Sequence, residues 1–106
     1  MSDIHGHAIR YKIIMELINL QPRDHLYIIG DVIDRWPDGI NILQELMQIP
    51  NCTVLLGNHE YMFLNAVSES QKGRDFNLCL SNGGRPTLDS FYQLSDNDKT
   101  EIINFI

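Results

Sequence analysis

Two short apolar runs, each followed by a glycine and then by polar residues, constrain the fold of this chain most. "LYII" at 26–29 precedes "GDVIDR", and "TVLL" at 53–56 precedes "GNHE". Each run has the length of a β-strand and lacks alternating polar positions, which is typical of a strand covered on both faces of a sheet. Helical patterns follow both loops, and strands that alternate with helices predict a parallel sheet with right-handed crossovers. The sequence therefore predicts an α/β fold.

Apolar residues at helical spacing predict the helices around these strands. The first helix is expected over 8–20, with an apolar row at Ile9, Ile13 and Leu17. The polar stretch 68–76 predicts a surface loop. The other predicted helices cover 39–49 behind Asp38 as cap, about 60 to 68, a short segment from about Pro86, and a last segment from a Ser95–Asp98 capping box to Ile106.

Composition limits the size of the protein and its partners. The 106 residues suffice for one small domain, and 43% apolar residues argue against disorder. A net charge of −6 disfavours nonspecific binding of nucleic acid. No apolar run approaches the about 18 residues of a membrane span, and Met1 is not followed by a secretory leader. We therefore expect a cytoplasmic protein without nucleic-acid or membrane partners, in which Cys52 and Cys79 are reduced and buried.

Polar side chains are concentrated in three loops, each of which precedes a predicted helix. The loops carry Asp3 and His5, then Asp31, Asp34 and Arg35, then Asn58, His59 and Glu60. Because loops at the carboxyl ends of parallel strands converge, we expect these side chains to lie close together. Carboxylate, imidazole and amide donors suit Mn²⁺, Fe or Zn²⁺ better than Ca²⁺ or Mg²⁺. Glu60 could help to orient His5 or cap the third helix; the cap is the expected role, since an acidic residue in the first turn complements the helix dipole.

The three loop sequences together resemble the leading motifs of the calcineurin-like metallophosphoesterases. "SDIHGH", "GDVIDR" and "GNHE" occur in order and at suitable spacing, and "DR" with "GNHE" is most similar to the phosphoprotein phosphatase branch. "LSNGGRPTLDSF" resembles a stretch of its bacterial and phage members. The likeness extends from Ser2 to about Phe91. It implies the N-terminal half of an α/β/β/α sandwich and a metal-dependent phosphoester hydrolase resembling serine/threonine protein phosphatases.

The resemblance also implies which residues hold the metals. Asp3 and His5 would bind a first divalent ion, Asn58 a second, and Asp31 would bridge the two. Mn²⁺ is the expected metal, with Fe or Zn²⁺ as alternatives. A metal-bound hydroxide would be the nucleophile, so no phosphoenzyme is expected.

Catalytic and substrate-binding roles follow from the same resemblance. His59 would be the general acid that protonates the leaving oxygen, and Asp34 would accept a hydrogen bond that orients its ring. Arg35 would bind phosphate oxygens through its planar donors, and Asn58 would touch the phosphate as well. Arg85 follows the "NGG" turn and is a further candidate for binding phosphate, with solvated surface as its alternative.

Departures from the family pattern point to a truncated domain. Trp36 stands where the family usually has the glycine of "DRG", and no strand precedes "SDIHGH". The later histidine motifs of the family do not occur between Phe91 and Ile106. We therefore expect residues 1–106 to lack the first strand and the C-terminal half of the domain. Metal binding should then be weak, turnover slow or absent, and unpaired sheet edges should favour self-association.

Three functions remain open at this stage. The first is hydrolysis of phosphoproteins or small phosphoesters, and the second is hydrolysis of dinucleoside tetraphosphates. The third is a truncated, non-catalytic relic. The "DR" pair and Glu60 favour the phosphatase over the tetraphosphate hydrolase.

Overall fold

The computed structural model describes residues 1–68 and 73–106, and this part of the chain has the predicted α/β fold. Eight elements follow one another: α1 (Ala8–Ile18), β1 (Leu26–Ile28), α2 (Gly39–Met47), β2 (Cys52–Val54), α3 (Asn58–Ser68), α4 (Arg74–Ser81), α5 (Arg85–Tyr92) and α6 (Asp96–Phe105). None of these described helices is long and apolar enough to cross a membrane.

The two strands form a parallel pair, as the alternation of strands and helices predicts. Leu26 pairs with Cys52 and Ile28 with Val54, and α2 is the crossover between them. The backbone N–H of Ile29 donates to the carbonyl oxygen of Met1 at 2.7 Å, so the first residue lies along the outer edge of β1. The architecture is consistent with a partial calcineurin-like fold.

The hydrophobic core lies on one face of this sheet. Leu26, Ile28 and Val54 project into it from the strands. Helices α2 and α3 contribute fully buried side chains, among them Leu43 and Phe63. Helix α2 also contacts α5 and α6, while α3 packs against α4. Helices packed against this face of the sheet therefore support the edge that carries the three loops.

The prediction that both faces of the sheet are covered is wrong for the described residues. Tyr27 and Ile29 are 56% and 64% exposed, and Leu55 is 46% exposed on the neighbouring segment. Both strands are also one or two residues shorter at their carboxyl ends than the apolar runs. The described helices cover only the face that carries Leu26 and Ile28, which leaves the alternate side chains in solvent.

Helix α1 shows a second difference of the same kind. Its predicted apolar row is exposed, at 70% for Ile9, 53% for Ile13 and 80% for Leu17. Tyr11, on another face, is its buried residue and joins the core. The helix ends at Ile18, two residues before the predicted end at position 20, because Asn19 adopts a left-handed conformation (φ 48°).

Helix α4 was not predicted. The expected loop over 68–76 is wrong at 74–76, which belong to this helix, and residues 69–72 lie outside the described part of the chain. Phe76, Cys79 and Leu80 have helical spacing and pack in or against the core. The segment was predicted to be a loop because most of the residues before Phe76 are polar.

The capping predictions have mixed outcomes. The hydroxyl of Ser95 accepts the backbone N–H of Asp98 at 3.2 Å, which confirms the cap of α6. Asp38 lies at the N-cap of α2, but its side chain makes no capping bond there.

The two cysteines are free thiols. Cys79 is buried as expected, whereas Cys52 is half-buried. Burial, followed by the nearby charge of Asp34, raises the pKa of Cys79 to about 12, and burial also raises the pKa of Cys52. Both side chains are therefore neutral thiols at physiological pH.

Candidate metal centre

The three polar loops meet at one edge of the sheet, around Asp31. The backbone N–H of His5 donates to the carbonyl of Asp31 at 3.0 Å, and that of Gly6 donates to Val32 at 2.7 Å. From the third loop, the N–H of His59 donates to Oδ1 of Asp31 at 3.1 Å. Asp31 thus links the first loop through its main chain and the third loop through its side chain.

Two glycines allow the second and third loops to touch. Gly30 has a left-handed φ of 72°, and a Cβ at this position would overlap the backbone of Gly57. A Cβ on Gly57 would in turn lie 2.6 Å from the backbone nitrogen of Asp31. A side chain at either position would push the loops apart and displace the Asp31 carboxylate.

Asp3, His5 and Asp31 form the candidate metal cluster. Each offers a ligand atom, and the three atoms lie within 4.8 Å of one another. Nδ1 of His5 lies 3.0 Å from the carbonyl oxygen of Ile33. Because a carbonyl only accepts, Nδ1 carries the hydrogen, which leaves the Nε2 lone pair free as a ligand. Two carboxylates and an imidazole fit a divalent transition metal.

A buried histidine–aspartate pair lies beside this cluster. Nδ1 of His59 donates to Oδ2 of Asp34 at 2.7 Å, and the two residues are only 7% and 0% exposed. The bond fixes the hydrogen on Nδ1 and orients the ring, whose centre lies 4.7 Å from that of His5. Among the described residues, Oδ1 of Asp34 has no hydrogen-bond partner. Burying a carboxylate oxygen without a hydrogen-bond partner costs free energy, and such atoms are typical of functional sites.

The buried carboxylate of Glu60 joins the second and third loops by hydrogen bonds. Its carboxylate accepts the backbone N–H groups of Asp31 at 2.5 Å, Val32 at 2.9 Å and, more weakly, Ile33 at 3.4 Å. It also accepts the N–H of Gly57 at 3.1 Å, the cap interaction expected from sequence. Burial raises the pKa of Glu60, while the N–H donors act in the opposite direction. Its main contacts are thus to the loop of Asp31.

Backbone strain is concentrated in the same loops. Within residues 1–68 and 73–106, six residues other than glycine have a positive φ, and all but Asn19 are site residues. These five are Asp3 at 54°, His5 at 48°, Asp31 at 56°, Asp34 at 74° and Arg35 at 73°. Left-handed conformations of this kind cost about 1–3 kcal/mol each and are typical of functional sites.

The remaining predicted residues lie on the exposed rim. Asn58 begins α3 and is exposed, directly before His59. Arg35 is exposed, and its backbone N–H donates to the carbonyl of Gly83 at 2.8 Å, which places it against the "NGG" turn. Arg85 is exposed at the first position of α5, two residues beyond that contact.

Two supporting groups were not found from the sequence. The buried hydroxyl of Thr87 accepts the backbone N–H of Asp34 at 2.9 Å and so fixes the loop that presents this carboxylate. The carbonyl of Ile33 orients His5. Neither contact has a local signal, because one joins residues 53 positions apart and the other uses the main chain.

Comparisons with known proteins identify the family of this chain. The family profile of the calcineurin-like phosphoesterases matches residues 1–104. The chain is 34% identical to serine/threonine-protein phosphatase 2 of Escherichia coli K12, over 100% of this chain and 45% of that protein. It is 35% identical to the symmetrical bis(5'-nucleosyl)-tetraphosphatase of Wigglesworthia glossinidia brevipalpis, over 68% of this chain and 27% of the relative.

A class 3 fructose-1,6-bisphosphatase of Staphylococcus saprophyticus is 32% identical over 56% of this chain and 8% of its own length. The chain thus spans less than half the length of each of these relatives. The match to the family profile nevertheless covers nearly every residue, including all three polar loops. This chain belongs to the calcineurin-like phosphoesterase family.

Proposed function

We propose that the three loops form a divalent-metal site that hydrolyses phosphomonoesters. The observation that carries the proposal is the juxtaposition of two groups. The ligand atoms of Asp3, His5 and Asp31 lie within 4.8 Å of one another, and the buried His59–Asp34 pair lies beside them. Metal ligands next to an oriented proton donor are what cleavage of a phosphoester requires.

The donors fit two cations unequally. Asp3, His5 and Asp31 would hold the first, and Asp31 with the Asn58 amide oxygen would hold a second. We assign Mn²⁺ to these positions, with Fe or Zn²⁺ as alternatives that suit the same mixed ligands. When bound, such cations activate water and neutralise charge on the phosphoryl oxygens. Because only two protein ligands are assigned to the second position, we expect it to bind weakly.

The residues around the cluster would handle the proton and the phosphate. His59 holds a hydrogen on Nδ1 toward Asp34 at 2.7 Å, so Nε2 can donate a proton to the leaving oxygen once the ring is protonated. Arg35 on the exposed rim would bind phosphate oxygens with its planar fork of donors. Asn58 and Arg85 are assigned to the same phosphate as auxiliary donors.

Phosphorylated serine or threonine in proteins, with small phosphoesters, is the substrate class that we propose. It is supported by the similarity to the Escherichia coli protein phosphatase over the full length of this chain. Dinucleoside tetraphosphates are the second candidate, favoured by the similarity to a tetraphosphatase over 68% of the chain.

An assay with three substrates tests this proposal. The chain is incubated with Mn²⁺ and a phosphoserine peptide, 4-nitrophenyl phosphate or diadenosine tetraphosphate, and product release is measured. We expect slow, Mn²⁺-dependent release of phosphate from the first two substrates, abolished by chelation. Hydrolysis of the tetraphosphate alone would favour the second candidate. Absence of any metal-dependent release, by a chain that retains no metal, would indicate the non-catalytic relic.

We also propose that the chain of residues 1–106 self-associates. Parallel sheets normally have both faces covered, yet Tyr27, Ile29 and Leu55 are exposed on one face. Light scattering between about 1 and 100 μM should show a mass that rises above that of the monomer (12.2 kDa). A concentration-independent monomer would contradict this proposal.

A further inference from the structure

Trp36 is fixed next to the candidate metal centre by its backbone. It directly follows Arg35, and its N–H donates to the carbonyl oxygens of His5 at 3.1 Å and Asp34 at 2.9 Å. The residue is therefore anchored to a proposed metal ligand and to the partner of the proposed general acid.

The indole ring is both ordered by a neighbour and accessible. Trp36 packs against the imidazole of His7, with ring centres 4.5 Å apart, yet it remains 52% exposed. His7 is itself held in place, because its Nδ1 accepts the backbone N–H of Arg10 at 3.2 Å. Beside the two rings lies an open cavity of about 200 Å³, which is also lined by Gly6, Ile9 and Pro37.

Arg35 and Trp36 extend toward different loops. The Arg35 side chain runs along Gly83, whereas the Trp36 ring lies on His7 of the first loop. The exposed indole thus lies against the first loop, and the Trp36 backbone is bonded to His5, one of the proposed metal ligands. Aromatic surfaces of this kind bind other flat rings by stacking.

We infer that Trp36 determines substrate specificity by stacking on an aromatic ring carried by the phosphoester. The inference rests on the proposed phosphoesterase function and deepens it for the small phosphoesters: among these, a substrate with an aryl group or a nucleobase on the phosphate is preferred over one with an aliphatic group of equal size. His7 serves as the support that holds the indole in place, and the adjacent cavity accommodates the edge of the bound ring.

The experiment uses the fact that Trp36 is the only tryptophan in the chain. Its fluorescence is followed while the chain, with Mn²⁺ present, is titrated with phenyl phosphate, cyclohexyl phosphate or inorganic phosphate. Calorimetry provides the affinities independently. We expect a change in emission with phenyl phosphate, and binding of this ligand about tenfold tighter than that of cyclohexyl phosphate.

Variants separate stacking from general effects. Trp36→Leu should remove the preference for the phenyl ligand, and Trp36→Phe should restore most of it. The control is Tyr61→Leu, which removes another aromatic residue that is 59% exposed and should leave the preference unchanged. If Trp36→Leu does not fold, the comparison of Trp36→Phe with the unmodified chain still measures the effect of ring size.

The outcomes distinguish this inference from the proposed function. Equal affinity for phenyl and cyclohexyl phosphate would overturn the role of Trp36 and leave the phosphate site standing. Absence of binding by all three ligands would overturn both proposals. A preference that survives Trp36→Leu but is lost in Tyr61→Leu would assign specificity to a different surface and also overturn the inference.

Discussion

Replacing Glu60 by alanine should lower the free energy of unfolding by at least about 3 kcal/mol and should also weaken metal binding. The carboxylate is fully buried and accepts backbone N–H groups from Asp31, Val32 and Gly57, with a longer contact to Ile33. Each buried donor left without an acceptor costs about 1–3 kcal/mol. A small domain has a total stability of about 5–15 kcal/mol, so this loss takes away a large share of it.

The measurement is urea unfolding followed by circular dichroism. Glu16→Ala, at an exposed position of α1, is the matched control and should change the stability by less than about 0.5 kcal/mol. Glu60→Gln should be intermediate, because its NH₂ group faces backbone donors where an oxygen is needed. If Glu60→Ala unfolded at the same urea concentration as the unmodified chain, the carboxylate would not be what holds the two loops together.

Replacing His59 by asparagine should reduce turnover of an alkyl phosphate by about 10²–10⁴-fold without weakening metal binding. The ring is the proposed proton donor and is absent from the metal cluster, which consists of Asp3, His5 and Asp31. The loss should be much smaller with 4-nitrophenyl phosphate, because 4-nitrophenolate is a good leaving group that needs little protonation. Initial rates with the two substrates, at saturating Mn²⁺, provide the comparison.

Two further variants make this test specific. Asp34→Asn should cause part of the same loss, since Oδ2 of Asp34 accepts the hydrogen bond that orients His59 at 2.7 Å. His25→Asn alters a histidine that precedes β1 and contacts Thr53, at the opposite end of the sheet, and should leave the rates unchanged. Equal losses with good and poor leaving groups would show that His59 does not act as the acid.

The features predicted correctly have local sequence signals. An apolar run, a glycine and a polar loop before a helix were enough to locate β1, β2 and the loops of Asp31 and His59. Parallel pairing then brings the loops to one edge, since no other arrangement of two such units places both loops together. The proximity of Asp3 and His5 to Asp31 depends in addition on the backbone bonds from His5 and Gly6 to the second loop.

The features that were missed depend on distant parts of the chain. Tyr27 and Ile9 are exposed because no other described element packs against them. The spacing of apolar residues along the chain does not contain this information. Thr87 supports Asp34 across 53 residues, and Ile33 contributes only a carbonyl to His5. Glu60 was expected as a helix cap, and that contact exists, but its bonds to the Asp31 loop required the folded geometry.

The central claim is that the Asp31 loop gathers ligands for a divalent cation. Mn²⁺ titration followed by electron paramagnetic resonance, which detects the free ion, tests it most directly. The unmodified chain should bind at least one Mn²⁺. Loss of a residue that only supports a metal ligand typically weakens binding by about 10–100-fold. Asp31→Asn should weaken Mn²⁺ binding by more than this, because Asp31 is a proposed ligand itself. Asp24→Asn, the same change in an exposed turn before β1, should leave it unaltered. Equal Mn²⁺ binding by the unmodified chain and Asp31→Asn, or none by either, would contradict the account.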